Sequence, residues 1–147
     1  MKHCQKILFV LSLAILAGCA SRVPLQQAQI AGISRDTSSS TLERIVGNAT
    51  VAAKSEVEVS GIKYLARSYN LQTGTRSEMT MMCTPVCLPI FIPVPVLTQY
   101  VIVQRLPSMD LHAWGTIEEL SKDPDSSISS IMPAVKARLE EEQRKAK

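Results

Sequence analysis

The sequence predicts an α+β fold, a small antiparallel sheet followed by a C-terminal helix. Two observations carry this prediction. Apolar and polar residues alternate with a period of two in several stretches between residues 56 and 105, which is typical of half-buried strands. Near the end of the chain, Ile131, Val135 and Leu139 recur at helical spacing. No internal repeat is visible, so the segments add up to a single α+β domain.

The chain begins with the parts of a secretory signal peptide. Lys2, His3 and Lys6 form a basic head, and an uncharged, mainly apolar run follows at residues 7–18. A helix needs ~20 apolar residues to cross the core of a bilayer. Because the run is shorter, we predict that residues 1–18 are a signal peptide rather than a permanent membrane span.

The apolar run ends at Leu16-Ala17-Gly18-Cys19, which resembles the lipobox of bacterial lipoproteins. The resemblance implies cleavage before Cys19 and lipid on that cysteine, and several acyl chains hold a protein firmly to a membrane. The residue after the cysteine is Ala20 and not aspartate, and by resemblance to the sorting rule of two-membrane bacteria this implies transfer to the outer membrane, with the domain facing the periplasm. Ordinary secretion, with cleavage after Ala20, is the alternative.

Composition divides the rest of the chain into a tether and one domain. Residues 19–40 are rich in glutamine and serine, and we expect them to be the lipidated N-terminus and a polar tether. Residues 41–147 are enough for a single domain. The net charge is only +3, and Lys2 and Lys6 leave with the signal peptide. A nearly neutral chain without a basic cluster argues against nucleic acid as the partner.

The first elements of the domain can be read in two ways. Ser40-Thr41-Leu42-Glu43 has the form of a capping box and predicts a helix, although a strand over residues 44–53 is nearly as well supported. A strand follows from Glu56, with Gly61 as a bulge. Beyond it, the alternation places Ile62, Tyr64 and Ala66 on one face of the sheet, and Lys63, Leu65, Arg67 and Tyr69 on the other.

Later elements follow from turn signals and spacing. Gln72-Thr73-Gly74-Thr75 predicts a hairpin turn with a returning strand at residues 76–83. Further strands are predicted at residues 97–105 and 111–117, and a loop at 123–127. Ser129 or Ser130 then caps the final helix.

The sequence shows no catalytic motif. His112 is the one histidine that remains after removal of the signal peptide, and no Gly-x-Ser-x-Gly, His-Glu-x-x-His or phosphate-loop motif occurs. Ser60-Gly61-Ile62-Lys63 matches the Ser-x-x-Lys motif of penicillin-binding enzymes, but the companion motifs are absent and the chain is too short for that fold. We therefore expect a protein that is not an enzyme and has no cofactor. Cys83 and Cys87 are predicted to form a disulfide in an oxidising envelope. An alternative is a Cu(I) site, because thioether and thiolate ligands suit that ion; its ligands would be Met79, Met81, Cys83 and Cys87.

Residues 86–97 form an uncharged apolar segment that contains Pro89, Pro93 and Pro95. Prolines at this density disfavour a central strand or a regular helix. The segment either covers the domain's own core or meets a partner or a membrane. For the second case, the candidate contact residues are Leu88, Ile90, Phe91, Ile92, Val94 and Val96. The sequence thus predicts a noncatalytic envelope component that contacts an envelope protein or a second copy of itself.

Overall fold

The structure, a computed structural model, describes residues 23–146. The predicted signal peptide and Cys19 lie outside these residues. Within the described part of the chain, no helix combines the length and the apolar character that crossing a membrane requires.

The fold is α+β, as predicted, and consists of a five-stranded sheet with short helices and a C-terminal helix. The elements in chain order are β1 (Leu25–Gln26), α1 (Gln27–Ile30), α2 (Ser39–Val46), β2 (Val51–Val59), β3 (Ile62–Thr84), β4 (Val86–Arg105), β5 (Asp110–Thr116), α3 (Ile117–Ser121), α4 (Ser126–Ser129) and α5 (Met132–Lys145). β3 and β4 are the central pair. β5 pairs with β4, whereas β2 and the short β1 pair with successive parts of β3. All pairs are antiparallel except β1 with β3.

Helices cover both faces of the sheet, because successive residues of β3 and β4 point to opposite sides. On one face, the predicted helical stripe Ile131, Val135 and Leu139 is buried against the sheet. On the other face, Leu42 and Val46 of α2 pack against a second cluster that includes Tyr69 and Ile102. The domain therefore has two apolar cores, one on each side of a single sheet.

The predicted tether at residues 19–40 is wrong over the part that the structure describes. Leu25 pairs with Leu71 of β3 and is 1% exposed, and Ile33 and Thr37 are also buried. The segment is mainly polar in composition, but its few apolar side chains, including Leu25 and Ile33, are sufficient to hold it against the sheet. The domain therefore begins before residue 41.

Both interpretations of residues 41–53 are partly right. Ser38, rather than Ser40, caps α2 by accepting a hydrogen bond from the Thr41 amide at 3.3 Å. The helix stops at Gly47, whose φ of +52° favours glycine. β2 then begins at Val51, where β-branched residues replace the helical pattern.

The structure differs from the turn predicted at residues 72–75 and from the bulge predicted at Gly61. Ser60 and Gly61 both have positive φ and form the tight turn between β2 and β3, at the site that was interpreted as a bulge. At Gln72–Gly74, where a turn was predicted, β3 continues with a bulge. The chain reverses instead at Pro85, so the predicted strand at 76–83 is the continuation of β3.

Candidate interaction site

The outer parts of β3 and β4 form a two-stranded ribbon that extends beyond the rest of the sheet. β2 pairs with β3 as far as Tyr69, and β1 pairs as far as Gln72. On the other side, β5 pairs with β4 only at residues 100–105. Residues 73–84 and 86–96 are therefore paired only with each other, and we call residues 73–96 the arm. At ~3.3 Å per residue, the arm is about 36 Å long.

The arm exposes most of its large apolar side chains within the described structure. Phe91 is 69% exposed, and Ile90 and Val94 are only half-buried. The other exposed apolar residues of the arm are Met79, Met81, Met82, Val86, Leu88, Ile92 and Val96. All six candidate contact residues thus lie on the arm, and none of them belongs to either core cluster.

The register of β3 and β4 divides the arm into two faces. The aliphatic face carries Leu88, Ile90, Ile92, Val94 and Val96 of β4, with Arg76, Glu78, Thr80 and Met82 opposite them on β3. The sulfur face carries Phe91 and the prolines of β4, with Met79, Met81 and Cys83 on β3. The sequence treated the six candidates as one surface. The structure places Phe91 on the opposite face from the other five.

The tip of the arm is closed by a disulfide. Cys83 and Cys87 lie directly opposite each other on either side of the Pro85 turn, with their sulfur atoms 2.01 Å apart. This is the cysteine pair that the sequence predicted. The four sulfur residues of the alternative copper site lie on one face, but the disulfide removes both thiolate ligands. Among residues 23–146, no group of three His, Cys, Asp or Glu side chains could hold a metal.

The three prolines lie in the part of β4 that is an edge of the ribbon, and neither in a central strand nor in a helix, the two structures that the sequence disfavoured. The amide of Leu106 donates to the Lys63 carbonyl at 2.8 Å, so even-numbered residues of β4 direct their N–H groups toward β3. Pro89, Pro93 and Pro95 are odd-numbered, and their nitrogens therefore lie on the outer edge. The strand consequently loses no hydrogen bond to β3, which is the edge position that a sheet allows to proline.

The first described residues are held at the base of the arm. The Val23 amide donates to Thr50 Oγ1 at 3.0 Å, and the Thr50 amide donates to the Val23 carbonyl at 2.9 Å. Val23 and Pro24 line a shallow groove with Pro95 and Leu97. The described chain therefore begins at the arm's base.

Among residues 23–146, Arg67 is the only buried charged residue, and it belongs to a structural cluster away from the arm. Arg67 donates to Glu43 Oε1 at 2.6 Å and also donates to the Gln104 side-chain oxygen, linking α2 to the sheet. Gln104 is fully buried, and its amide group donates to the Met109 carbonyl at 2.8 Å. Burial raises the pKa of the neighbouring Tyr69. This cluster holds α2 and the segment after β4 to the sheet.

His112 makes contacts that connect neighbouring elements of the fold. Its ring packs against Tyr64, with the ring centres 5.0 Å apart, and Nε2 lies 3.2 Å from the Ser127 carbonyl oxygen. These contacts connect β5 to β3 and to α4. The arm thus remains the strongest candidate site in the described chain.

Comparison with known proteins adds no assignment: no protein family matches the chain, and no curated protein or solved structure is detectably similar to it.

Proposed function

We propose that this protein is a lipoprotein anchored by Cys19 in the outer membrane and facing the periplasm, and that it acts without catalysis through protein contacts made by the arm. One observation carries the proposal. A ribbon of exposed apolar side chains projects from a domain whose two cores are formed without it.

An uncovered arm is energetically unfavourable for a protein that works alone. Exposed apolar surface favours association, and large contiguous patches mark contact sites on soluble domains. Residues 79–97 carry no charge. Arg76 and Glu78, which pair with each other, provide the arm's only charges. A partner surface with complementary apolar character therefore suits the arm.

The position of the anchor supports an envelope partner. Val23 is fixed at the base of the arm, and Cys19 precedes it by four residues, which span at most ~14 Å. Lipid on Cys19 would hold the base near the membrane surface. From there the arm, about 36 Å long, is within reach of other envelope proteins.

A protein partner suits the arm better than the interior of the bilayer does. Open sheet edges do not occur within the hydrocarbon layer, because backbone groups there have no water to bind. The outer edge of β3 in the arm has unpaired backbone groups within the described structure. Copper handling is less well supported, since it requires the Cys83–Cys87 pair to be reduced.

A photo-reactive residue at position 91 tests the contact role in the intact envelope. We expect covalent adducts with protein when Phe91 is replaced, because its side chain is exposed on the arm. Lys136 is an exposed position on α5, and the same replacement there is the control. If position 91 gives no adducts, or the same adducts as position 136, the arm is not the contact element.

The anchor has its own test. Cys19→Ser should abolish lipidation and leave the protein uncut or unanchored, as measured by fractionation and mass spectrometry. A wild-type protein recovered from the periplasm as a soluble chain beginning at Ser21 would contradict the lipoprotein assignment.

A further inference from the structure

The two outer edges of the arm differ in their ability to accept another strand. Three prolines on the outer edge of β4 have no backbone N–H group, so this edge lacks three hydrogen-bond donors. A further strand therefore cannot pair with it. The edge of β3 contains no proline between residues 73 and 84. A long unprotected edge beside apolar side chains is a template for pairing. Only the β3 edge is therefore open to a further strand.

We infer that the occupant of this edge is β3 of a second copy, paired antiparallel around a two-fold axis at Ser77. The inference rests on the proposed role of the arm as a contact element and identifies the partner. Beyond the bulge at Gln72–Gly74, the even-numbered residues of β3 direct their backbone N–H and C=O groups toward β4. The odd-numbered residues, including Thr75, Ser77 and Met79, direct their backbone N–H and C=O groups outward.

The charges of the arm select this register. With Ser77 on the axis, Arg76 of each copy lies directly opposite Glu78 of the other copy. Both positions are non-hydrogen-bonded pairs, in which the side chains approach most closely. Moving the axis by one residue would place Arg76 opposite Arg76, or Glu78 opposite Glu78. Like charges directly opposite each other are destabilising, so the neighbouring registers are disfavoured.

The same pairing explains the arrangement of the prolines. Pairing the two β3 edges gives a four-stranded sheet in which both aliphatic faces lie on the same side. Its outermost strands are the two copies of β4, and their edges carry Pro89, Pro93 and Pro95. Further strands cannot add there, so the assembly ends at two copies. An isologous contact of this kind forms a closed dimer rather than a fibre.

Charge reversal of the full-length, lipidated protein in detergent tests the dimer. Arg76→Glu and Glu78→Arg should each weaken the dimer at least about tenfold, because each places like charges opposite one another. The double variant R76E/E78R restores opposite charges and should restore the dimer. Lys136→Glu, an exposed change on α5, is the control and should have no effect. The measurement is the dissociation constant from sedimentation equilibrium.

Cysteine crosslinking tests the register. Ser77→Cys should form a disulfide-linked dimer, since the two copies of residue 77 face each other on the axis. Met79→Cys is the matched control on the same edge, and its two copies would be about 13 Å apart. A monomeric wild-type protein, a double variant that stays dissociated, or equal crosslinking at both positions would overturn the inference. If position 91 still forms adducts with another protein, the proposed contact role stands without self-pairing.

Discussion

Replacing Phe91 by glutamate should abolish the protein contacts made by the sulfur face of the arm while leaving the folded domain nearly intact. The side chain is 69% exposed, so about a third of its surface is covered. A phenylalanine presents ~200 Å² and apolar burial contributes ~25 cal/mol per Å², so losing the covered part costs at most about 1.5 kcal/mol. Ile102→Glu is the matched control in the same strand. Ile102 is fully buried, and an unpaired charge there should cost more than about 4 kcal/mol.

The assay combines urea unfolding of both variants with chemical crosslinking in the envelope. Phe91→Glu is expected to unfold near the wild-type midpoint and to lose the crosslinked products that depend on the sulfur face. Ile102→Glu should lose both its stability and its products. If Phe91→Glu unfolds as easily as Ile102→Glu, the residue belongs to a core and the exposed arm is wrong. If it keeps every crosslinked product, the sulfur face makes no contact.

Three further changes test other parts of the structure. Cys83→Ser opens the short disulfide loop at the tip. It should lower the free energy of unfolding by less than the ~3 kcal/mol that a disulfide closing a 15-residue loop contributes, and it should increase proteolysis near the tip. Unchanged proteolysis would show that the disulfide does not hold the tip. Arg67→Met removes the donor to the buried Gln104 side chain and should cost about 1–3 kcal/mol in urea unfolding; a more stable variant would contradict the role of the cluster. Hydrogen bonds from the Thr116 amide and hydroxyl hold the pKa of Glu119 below its ordinary value of 4.5. The stability they contribute is present above that pH and is lost as the pH falls through the lowered pKa, so wild-type thermal stability should fall more steeply in acid than that of Glu119→Gln.

Features with strong local signals were predictable from the sequence. The alternating faces of β3 and the stripe at Ile131, Val135 and Leu139 follow directly from the spacing of apolar residues. The strand at residues 111–117 also matches β5 closely, because alternation and a nearby turn mark it. The short helices α3 and α4 were missed. Each has fewer than two turns and depends on caps by Thr116 and Asp125 rather than on a periodic pattern.

The turns were harder to place, since glycine can supply either a reversal or a bulge. Gly61 and Gly74 both lie between extended segments, and the sequence assigned the turn to the wrong one. The pairing between strands decides which glycine lies in a turn and which lies in a bulge. Val57 pairs with Tyr64 across the Ser60–Gly61 turn, whereas Gly74 pairs with Val96 far along the chain.

The composition of the sequence identified the candidate contact residues of the arm. It did not predict that they are exposed or that the prolines lie on an outer edge. Local propensity treats a proline as a strand breaker wherever it stands. The odd-numbered positions of Pro89, Pro93 and Pro95 become meaningful only when the hydrogen-bonding direction of β4 is known. The docked segment around Leu25 was missed for a related reason, because its burial depends on a sheet edge formed by distant residues.

The most direct test of the central claim is the native mass of the full-length protein with and without the arm. Replacing residues 74–95 by a two-residue turn should leave both core clusters intact, because their members lie outside that range. We predict that the detergent-solubilised wild-type protein has the mass of an assembly and that the shortened protein has the mass of one chain at an unchanged melting temperature. A wild-type protein that has the mass of a single chain would refute self-pairing and leave the contact role to crosslinking at position 91. A shortened protein that assembles like the wild type would contradict the central claim.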